Sequence, residues 1–110
     1  MKATELMIGD WIVKPSGHIR TMDRAEFSND DAWFEDIKPI PLTPEILEKN
    51  GWWYDVEDMW LHDEVDFGIE RWNGGFQCYN INQIKLDSVH QFQQALRLAG
   101  LTDMANNFKI

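Results

Sequence analysis

The sequence predicts an α+β fold, in which a small curled antiparallel β-sheet packs with one short capped helix and one longer C-terminal helix. Two hairpin signals, one helix with both ends specified and one amphipathic stretch support this fold class. The chain has 110 residues, of which 44% are hydrophobic. We therefore predict one packed domain spanning residues 1–110, because this length does not support two cores. A barrel-like closure of the sheet is an alternative.

The N-terminal third is predicted to form three short strands. Apolar residues alternate over residues 6–13 if Gly9 inserts one extra residue as a bulge. Residues 14–17 have the composition of a tight turn, so residues 18–23 are expected to return as the partner strand. Residues 32–37 are rich in apolar side chains and are predicted to form a third strand.

The helix that begins at Pro44 has the clearest local pattern in the chain. Thr43 is a good N-cap, and Pro44 suits the first helical position because its missing N–H is not needed there. Gly51 suits the left-handed position that ends a helix. Trp52, the next residue, is then expected to fold back onto Leu47.

Two further elements are predicted in the second half of the chain. Asn73-Gly74 is a strong hairpin turn signal, so residues 67–72 and 76–79 are expected to pair. Residues 81–86 either extend that strand or form another.

The C-terminal helix is predicted over residues 89–99, with Asp87 or Ser88 as its cap. Its apolar stripe should pack on the sheet. The opposite side, with His90, Gln94 and Arg97, is a second candidate surface for a partner, but the expected role of such a face is simple solvation.

The charge of the chain is polarised along the sequence. The formal net charge is −9, but residues 23–70 alone carry 15 acidic and three basic residues, a net charge of −12. Such a field repels phosphates and attracts basic protein surfaces. We therefore expect a protein partner with a basic surface and no direct binding to nucleic acid; simple solubility is the alternative role of the charge.

Composition also predicts the compartment. No apolar run approaches the roughly 20 residues of a membrane-spanning helix, and residues 1–5 do not resemble the start of a signal peptide. The single cysteine, Cys78, permits no internal disulfide. A cytoplasmic protein without membrane association is expected.

Catalytic and metal-binding patterns are not found in the sequence. The three histidines fall in different predicted elements, and none has a second histidine or cysteine at metal-ligand spacing. The run His62-Asp63-Glu64 would suit an acid/base pair or a cation site, but a polar turn is the favoured interpretation because neighbours on a strand point apart. We predict a protein that is not an enzyme and has no cofactor or metal.

The candidate binding site is the mixture of aromatic and acidic residues in the middle of the chain. Interface cores favour Trp and Tyr, and surrounding carboxylates steer a basic partner. The predicted binding residues are Trp53, Asp55, Glu57, Asp58, Trp60, Asp63, Glu64 and Asp66. In the alternative interpretation, Trp52, Trp60 and Leu61 belong to the core and the acids only solvate a sheet edge.

Three sequence blocks resemble a known family. They are ELMIGDWIV at residues 5–13, IKPIPLTPEIL at residues 37–47 and VHQFQQAL at residues 89–96. Their order is similar to that in a family of small uncharacterised proteins encoded by phages, prophages and other mobile elements of gut-type anaerobic bacteria. The resemblance implies a cytoplasmic, phage-linked setting and transfers no catalytic residue.

These observations together predict a non-enzymatic, acidic protein-binding module. Given the phage-linked setting, it would be an inhibitor that occupies a basic, nucleic-acid-binding surface of a host defence protein or nuclease, with its carboxylates imitating phosphates. A structural or assembly accessory of a phage or prophage particle is one alternative. A small hydrolase or cation-dependent enzyme is another.

Overall fold

A computed structural model describes residues 1–55, 58–72, 75–78 and 85–110. These residues form two antiparallel sheets and several helices, which confirms the predicted α+β class. The strands are β1 (Trp11–Val13), β2 (Ile19–Thr21), β3 (Trp53–Asp55), β4 (Met59–Leu61), β5 (Ile69–Trp72) and β6 (Gly75–Cys78). The α-helices are α1 (Asp31–Glu35), α2 (Pro44–Lys49), α3 (Val89–Leu98) and α4 (Thr102–Asn106). Ala3–Glu5 and Ala25–Ser28 form 3₁₀-helices.

The larger sheet is open. Its strand order is β3-β4-β5-β6, and within the described part of the chain β3 does not pair with β6. The barrel-like alternative is therefore not what forms. Strands β1 and β2 make a separate two-stranded sheet, with Trp11 opposite Thr21 and Val13 opposite Ile19.

The N-terminal hairpin is confirmed, but its first strand is shorter than predicted. Met7 donates its backbone N–H to the Asp10 carboxylate at 2.8 Å, and the Asp10 N–H is bonded to the Met7 carbonyl at 3.1 Å. This turn takes up backbone groups that a strand would need. The predicted bulge at Gly9 is nonetheless present: Gly9, with a φ of +92°, donates its N–H to the Met22 carbonyl, and Met22 donates its N–H to the Asp10 carbonyl, so two residues lie opposite one. The prediction is wrong only for residues 6–8, and the regular strand begins at Trp11.

The third predicted strand, residues 32–37, is also wrong because helix α1 occupies this segment. Asp30 caps the helix by accepting the backbone N–H of Trp33 at 3.0 Å. Phe34 and Ile37, three residues apart, are both buried in a small cluster with Ile12 and Met22. An apolar run this short fits both the two-residue repeat of a strand and the 3.6-residue repeat of a helix. The N-cap Asp30 in front of it favours the helix.

Helix α2 forms as predicted. The Thr43 hydroxyl accepts the backbone N–H of Ile46 at 3.3 Å, and Pro44 is the first helical residue. Gly51 has a φ of +84°, and the following Trp52 N–H is bonded to the Leu47 carbonyl at 3.1 Å. The chain therefore reverses at once, which brings β3 beside the end of α2.

The β5–β6 hairpin is confirmed by its register, with Ile69 opposite Cys78 and Trp72 opposite Gly75. The predicted turn at residues 73–74 lies outside the described residues, as do residues 79–84. Of the predicted segment 81–86, the described part includes Lys85, which forms an isolated bridge with Gln77, and the buried Leu86.

Helix α3 packs its predicted apolar stripe into the main core, where Phe92 and Leu96 are fully buried. Its opposite side was expected to be solvated, and that prediction is wrong. Gln94 donates to the Glu5 carbonyl at 2.8 Å, and Arg97 forms an ion pair with Asp10. The N-terminal segment thus covers this side of the helix.

Buried amide and backbone contacts join the elements around α3. Gln93, which is fully buried, accepts the Trp11 N–H at 2.9 Å and donates to the carbonyls of Gly9 and Ala105. The Trp11 indole donates to the Phe108 carbonyl at 2.7 Å, so the C-terminal segment docks against β1. No helix in the described residues is long and apolar enough to cross a membrane.

Candidate functional site: the aromatic–acid hairpin

Strands β3 and β4 form a hairpin in the segment where the sequence suggested only an acidic run. Trp53 lies opposite Leu61, Tyr54 opposite Trp60 and Asp55 opposite Met59. Because β3 is the first strand in the sheet order, it has no described strand on its outer side. An edge strand presents backbone N–H and C=O groups that another chain can bind.

Two large aromatic side chains are exposed on this edge strand. Trp53 is 46% exposed and Tyr54 is 52% exposed. The Trp53 indole N–H donates to the Asp63 carboxylate at 3.4 Å, and the Tyr54 hydroxyl donates to Asp58 at 2.6 Å. The bond to Asp58 raises the pKa of Tyr54, so the phenol stays neutral in physiological buffers.

Four exposed acids lie in the turns on either side of β4. Asp58, Asp63, Glu64 and Asp66 are all exposed. Together with Trp53 and Tyr54 they are called here the aromatic–acid surface. Asp58 also has a φ of +60°, an uncommon value for a residue with a side chain. The connection between β3 and β4 thus places the Asp58 carboxylate beside the Tyr54 hydroxyl.

The remaining predicted site residues are not part of this surface. Trp60 is only 6% exposed and packs in the main core, with its ring 5.6 Å from that of Tyr54 in an edge-on arrangement. Asp55 is half-buried, and Glu57 lies outside the described residues. Tyr54 was missing from the predicted set. Because it directly follows Trp53 on the strand, it faces the other side of the sheet, so the two rings lie on either side of the β3 edge.

The alternative interpretation of the aromatics is correct for two tryptophans. Trp52, at 2% exposed, and Trp60 both belong to the main core. The Trp52 ring lies 5.3 Å from Phe92 and 5.8 Å from Phe67, centre to centre. The aromatic segment is therefore divided, with Trp52 and Trp60 stabilising the fold and Trp53 and Tyr54 facing solvent.

His62 takes part in a turn. Its Nδ1 accepts the backbone N–H of Glu64 at 3.1 Å, and its Nε2 lies 3.1 Å from the Asn50 carbonyl. Since an amide N–H can only donate, Nδ1 is the acceptor and Nε2 carries the proton. Both ring nitrogens are thus used to hold the turn against the end of α2, which agrees with the polar-turn interpretation of residues 62–64.

This contact predicts a specific cost for a side chain at Gly51. A Cβ there would lie 2.9 Å from the His62 Nε2, whereas at Gly100, with the similar φ of +82°, nothing lies within 4 Å. We expect Gly100→Ala to lower the free energy of unfolding by about 1–2 kcal/mol through backbone strain alone. Gly51→Ala should cost roughly 1 kcal/mol more, because it also breaks the His62–Asn50 hydrogen bond. Urea unfolding of the two variants tests this; equal losses would contradict the role given to His62.

Other groups that catalysis or metal binding would use are in unreactive settings. In the ranges that the structure describes, no three His, Cys, Asp or Glu side chains come together to hold a metal ion. Cys78 is buried, and burial raises the pKa of its thiol to about 11. The thiol therefore stays protonated at neutral pH and is a poor nucleophile.

Comparisons with known proteins add no family to this description. The chain matches no protein-family model, and no curated protein or solved structure is significantly similar to it.

Proposed function

We propose that the protein is a non-enzymatic binding module whose aromatic–acid surface engages a protein with a basic surface. One observation carries the proposal: Trp53 and Tyr54 are exposed on an edge strand, and each is hydrogen-bonded to an exposed carboxylate. Tyr and Trp are enriched among the residues that dominate binding energies, because they bury a large area with few rotatable bonds.

Electrostatics supports a basic partner. Exposed carboxylates next to aromatic anchors raise the association rate of a positively charged surface and disfavour an acidic one. The hydrogen bonds to Asp58 and Asp63 also hold the two rings before binding, which lowers the entropy lost on association. The exposed edge of β3 adds backbone groups that an extended segment of the partner can pair with.

The resemblance to phage-encoded proteins extends the proposal to a biological role. A phage protein of this charge would act as an inhibitor that occupies the nucleic-acid-binding surface of a host defence protein or nuclease, with its carboxylates taking the place of phosphates. It would do so in the host cytoplasm. This role rests on the resemblance and the charge distribution, whereas the choice of surface rests on the exposed residues of β3 and the turns that follow.

The test is affinity capture from host lysate at low and high salt, with the captured proteins identified by mass spectrometry. We expect one basic nucleic-acid enzyme to bind at low salt and to elute at high salt, because screening weakens contacts between exposed charges. A triple variant with Asp63, Glu64 and Asp66 changed to lysine should lose at least about tenfold in retained partner, since three attractive charges become repulsive.

A matched variant separates the surface from net charge. Glu35, Asp36 and Glu45 are also exposed, lie outside the aromatic–acid surface and give the same change of net charge when replaced by lysine. This control should retain most of the partner. Equal losses in the two triple variants would refute the proposed surface. Capture of virion proteins that resist high salt would favour the assembly-accessory alternative instead.

A further inference from the structure

A cavity separate from the aromatic–acid surface lies where α3 begins. Its volume is about 530 Å³, within the range of small-molecule sites. Ile37, Pro39 and Pro41 supply an apolar wall, and Ser88 and His90 supply polar groups from the first turn of α3. It shares no residue with the aromatic–acid surface, so an inference about it does not depend on the proposed function.

His90 lines this cavity and lacks a full set of hydrogen-bond partners among the described residues. It is only 6% exposed, and its Nδ1 lies 3.0 Å from the Ser88 hydroxyl oxygen. Its Nε2 has no hydrogen-bond partner in the described residues. Among the described residues, the Trp52 Nε1 is the side-chain polar atom that is fully buried and has no hydrogen-bond partner. The His90 Nε2 also has no partner there, so it cannot be fully buried and keeps access to solvent. Because His90 lines the cavity, that access is to the cavity.

The surrounding contacts favour one of the two ring nitrogens of His90 as the carrier of the proton. Ser88 and Gln91 form a capping box: the Ser88 oxygen faces the Gln91 backbone N–H, and the Gln91 side chain accepts the Ser88 N–H at 3.1 Å. Because the Ser88 oxygen faces this backbone N–H, the favoured orientation of its own proton is away from Gln91 and toward His90 Nδ1. Burial lowers the pKa of His90, which keeps the ring neutral. Nε2 is then an N–H donor that points toward the cavity.

The charges around the cavity restrict the acceptor that this donor can bind. Glu5 and Asp87, both exposed, contribute carboxylates to the lining, and among the described residues no lysine or arginine contributes to it. Met1 also lines the cavity, and its α-ammonium group, which donates to the Phe34 carbonyl at 2.9 Å, offsets one of the two carboxylates. The positive end of α3 and the His90 N–H favour an acceptor atom, whereas the remaining negative charge of the lining disfavours an acceptor with a full negative charge.

We propose that this cavity binds an uncharged organic ligand that has an apolar body and a carbonyl-type oxygen. The oxygen accepts the His90 Nε2–H, and the apolar body packs against Ile37, Pro39 and Pro41. An amide or ketone satisfies both conditions of the site, because it is a good acceptor without net charge. A carboxylate is an acceptor but carries a negative charge, and a protonated amine with the same apolar body offers no acceptor to the His90 N–H.

Three probes of one shape test the proposal: cyclohexanecarboxamide, cyclohexanecarboxylate and cyclohexylmethylamine. The readout is the nitrogen NMR signals of the His90 ring in the whole protein, which report both the tautomer and binding. We expect the free protein to carry the proton on Nε2 and the amide to shift that signal with the highest affinity. The carboxylate should bind roughly two- to fivefold more weakly at low ionic strength, because one of the two carboxylates in the lining is not offset by a positive charge.

Two conservative variants make the charge argument testable without risk to the fold. Asp87→Asn and Glu5→Gln change exposed side chains and keep their shape. Together they should bring carboxylate affinity to within about twofold of amide affinity. Tighter binding of the amine or the carboxylate to the unmodified protein, a proton found on Nδ1, or no shift of His90 with any probe would each overturn the proposal.

Discussion

Replacing Arg97 by alanine is expected to lower the free energy of unfolding by about 3–5 kcal/mol, because it leaves a buried carboxylate without its cation. Asp10 is completely buried, and its side chain is bound by Arg97, by the Met7 backbone N–H at 2.8 Å and by Gln94 at 2.9 Å. The Arg97 side chain is only 10% exposed, so water replaces little of the lost interaction.

Two comparisons isolate the ion pair from general effects on α3. Leu98 follows Arg97 in the same helix and is 78% exposed, so Leu98→Ala should change stability by less than about 0.5 kcal/mol. The double variant with alanine at both Asp10 and Arg97 should cost at least about 1 kcal/mol less than the sum of the two single variants. Urea unfolding measures all four proteins. An Arg97→Ala loss of under about 1 kcal/mol would show that the pair behaves like an exposed one.

This ion pair also shows where sequence analysis of the fold reached its limit. The helix over residues 89–99 and its apolar stripe followed from periodicity, and α2 followed from its caps, since both signals are local. His90, Gln94 and Arg97 were read as a solvated face because they are polar. Their partners are the backbone carbonyls of residues 5 and 8, the Ser88 hydroxyl and one carboxylate about ninety residues away in the sequence. No local pattern contains that information.

The wrong strand predictions in the first third of the chain also arise from side-chain hydrogen bonds that the sequence pattern does not show, here between residues close in the sequence. Residues 32–37 carry an apolar run that suits a strand or a helix, and Asp30, two residues before it, decided the outcome by capping. Residues 6–8 were predicted to belong to the first strand, but the Met7 N–H is bonded to the Asp10 carboxylate instead. In both places one aspartate side chain accepts a backbone N–H. The composition of an acidic protein does not indicate which of its many acids will form such a bond.

The candidate site was predicted in composition but not in geometry. An exposed position for Trp53 and for the acids 58, 63, 64 and 66 agrees with the proposed surface. The burial of Trp60 could not be predicted without the strand pairing. Trp60 lies on β4, between Tyr54 of β3 and Ile69 of β5, and the sequence analysis did not predict the β3–β4 hairpin. The cavity at His90 was not anticipated, since it forms between residues 5, 37–41 and 87–94 only when the N-terminal segment covers α3.

The second large effect on stability is expected at Trp52. Packing of its indole ring should stabilise the fold, whereas its buried N–H should destabilise it. The indole is 2% exposed and packs against Phe67 and Phe92, so Trp52→Ala should cost about 3–5 kcal/mol. Its Nε1–H, however, is buried with no acceptor among the described residues. A buried donor without a partner costs about 1–3 kcal/mol. Trp52→Phe removes that donor and keeps an aromatic ring in the same place.

The matched replacement is Trp11→Phe, because the Trp11 indole donates to the Phe108 carbonyl at 2.7 Å. At Trp11 the change removes a hydrogen bond and leaves a carbonyl without it, a loss of about 2 kcal/mol. At Trp52 the lost packing and the removed desolvation penalty should nearly cancel, leaving stability within about 1 kcal/mol of the parent. Urea unfolding with unchanged m-values should therefore rank Trp11→Phe as the more damaging change, although Trp52 is the more deeply buried residue. The opposite ranking would mean that the Trp52 N–H makes a stabilising contact in the folded protein.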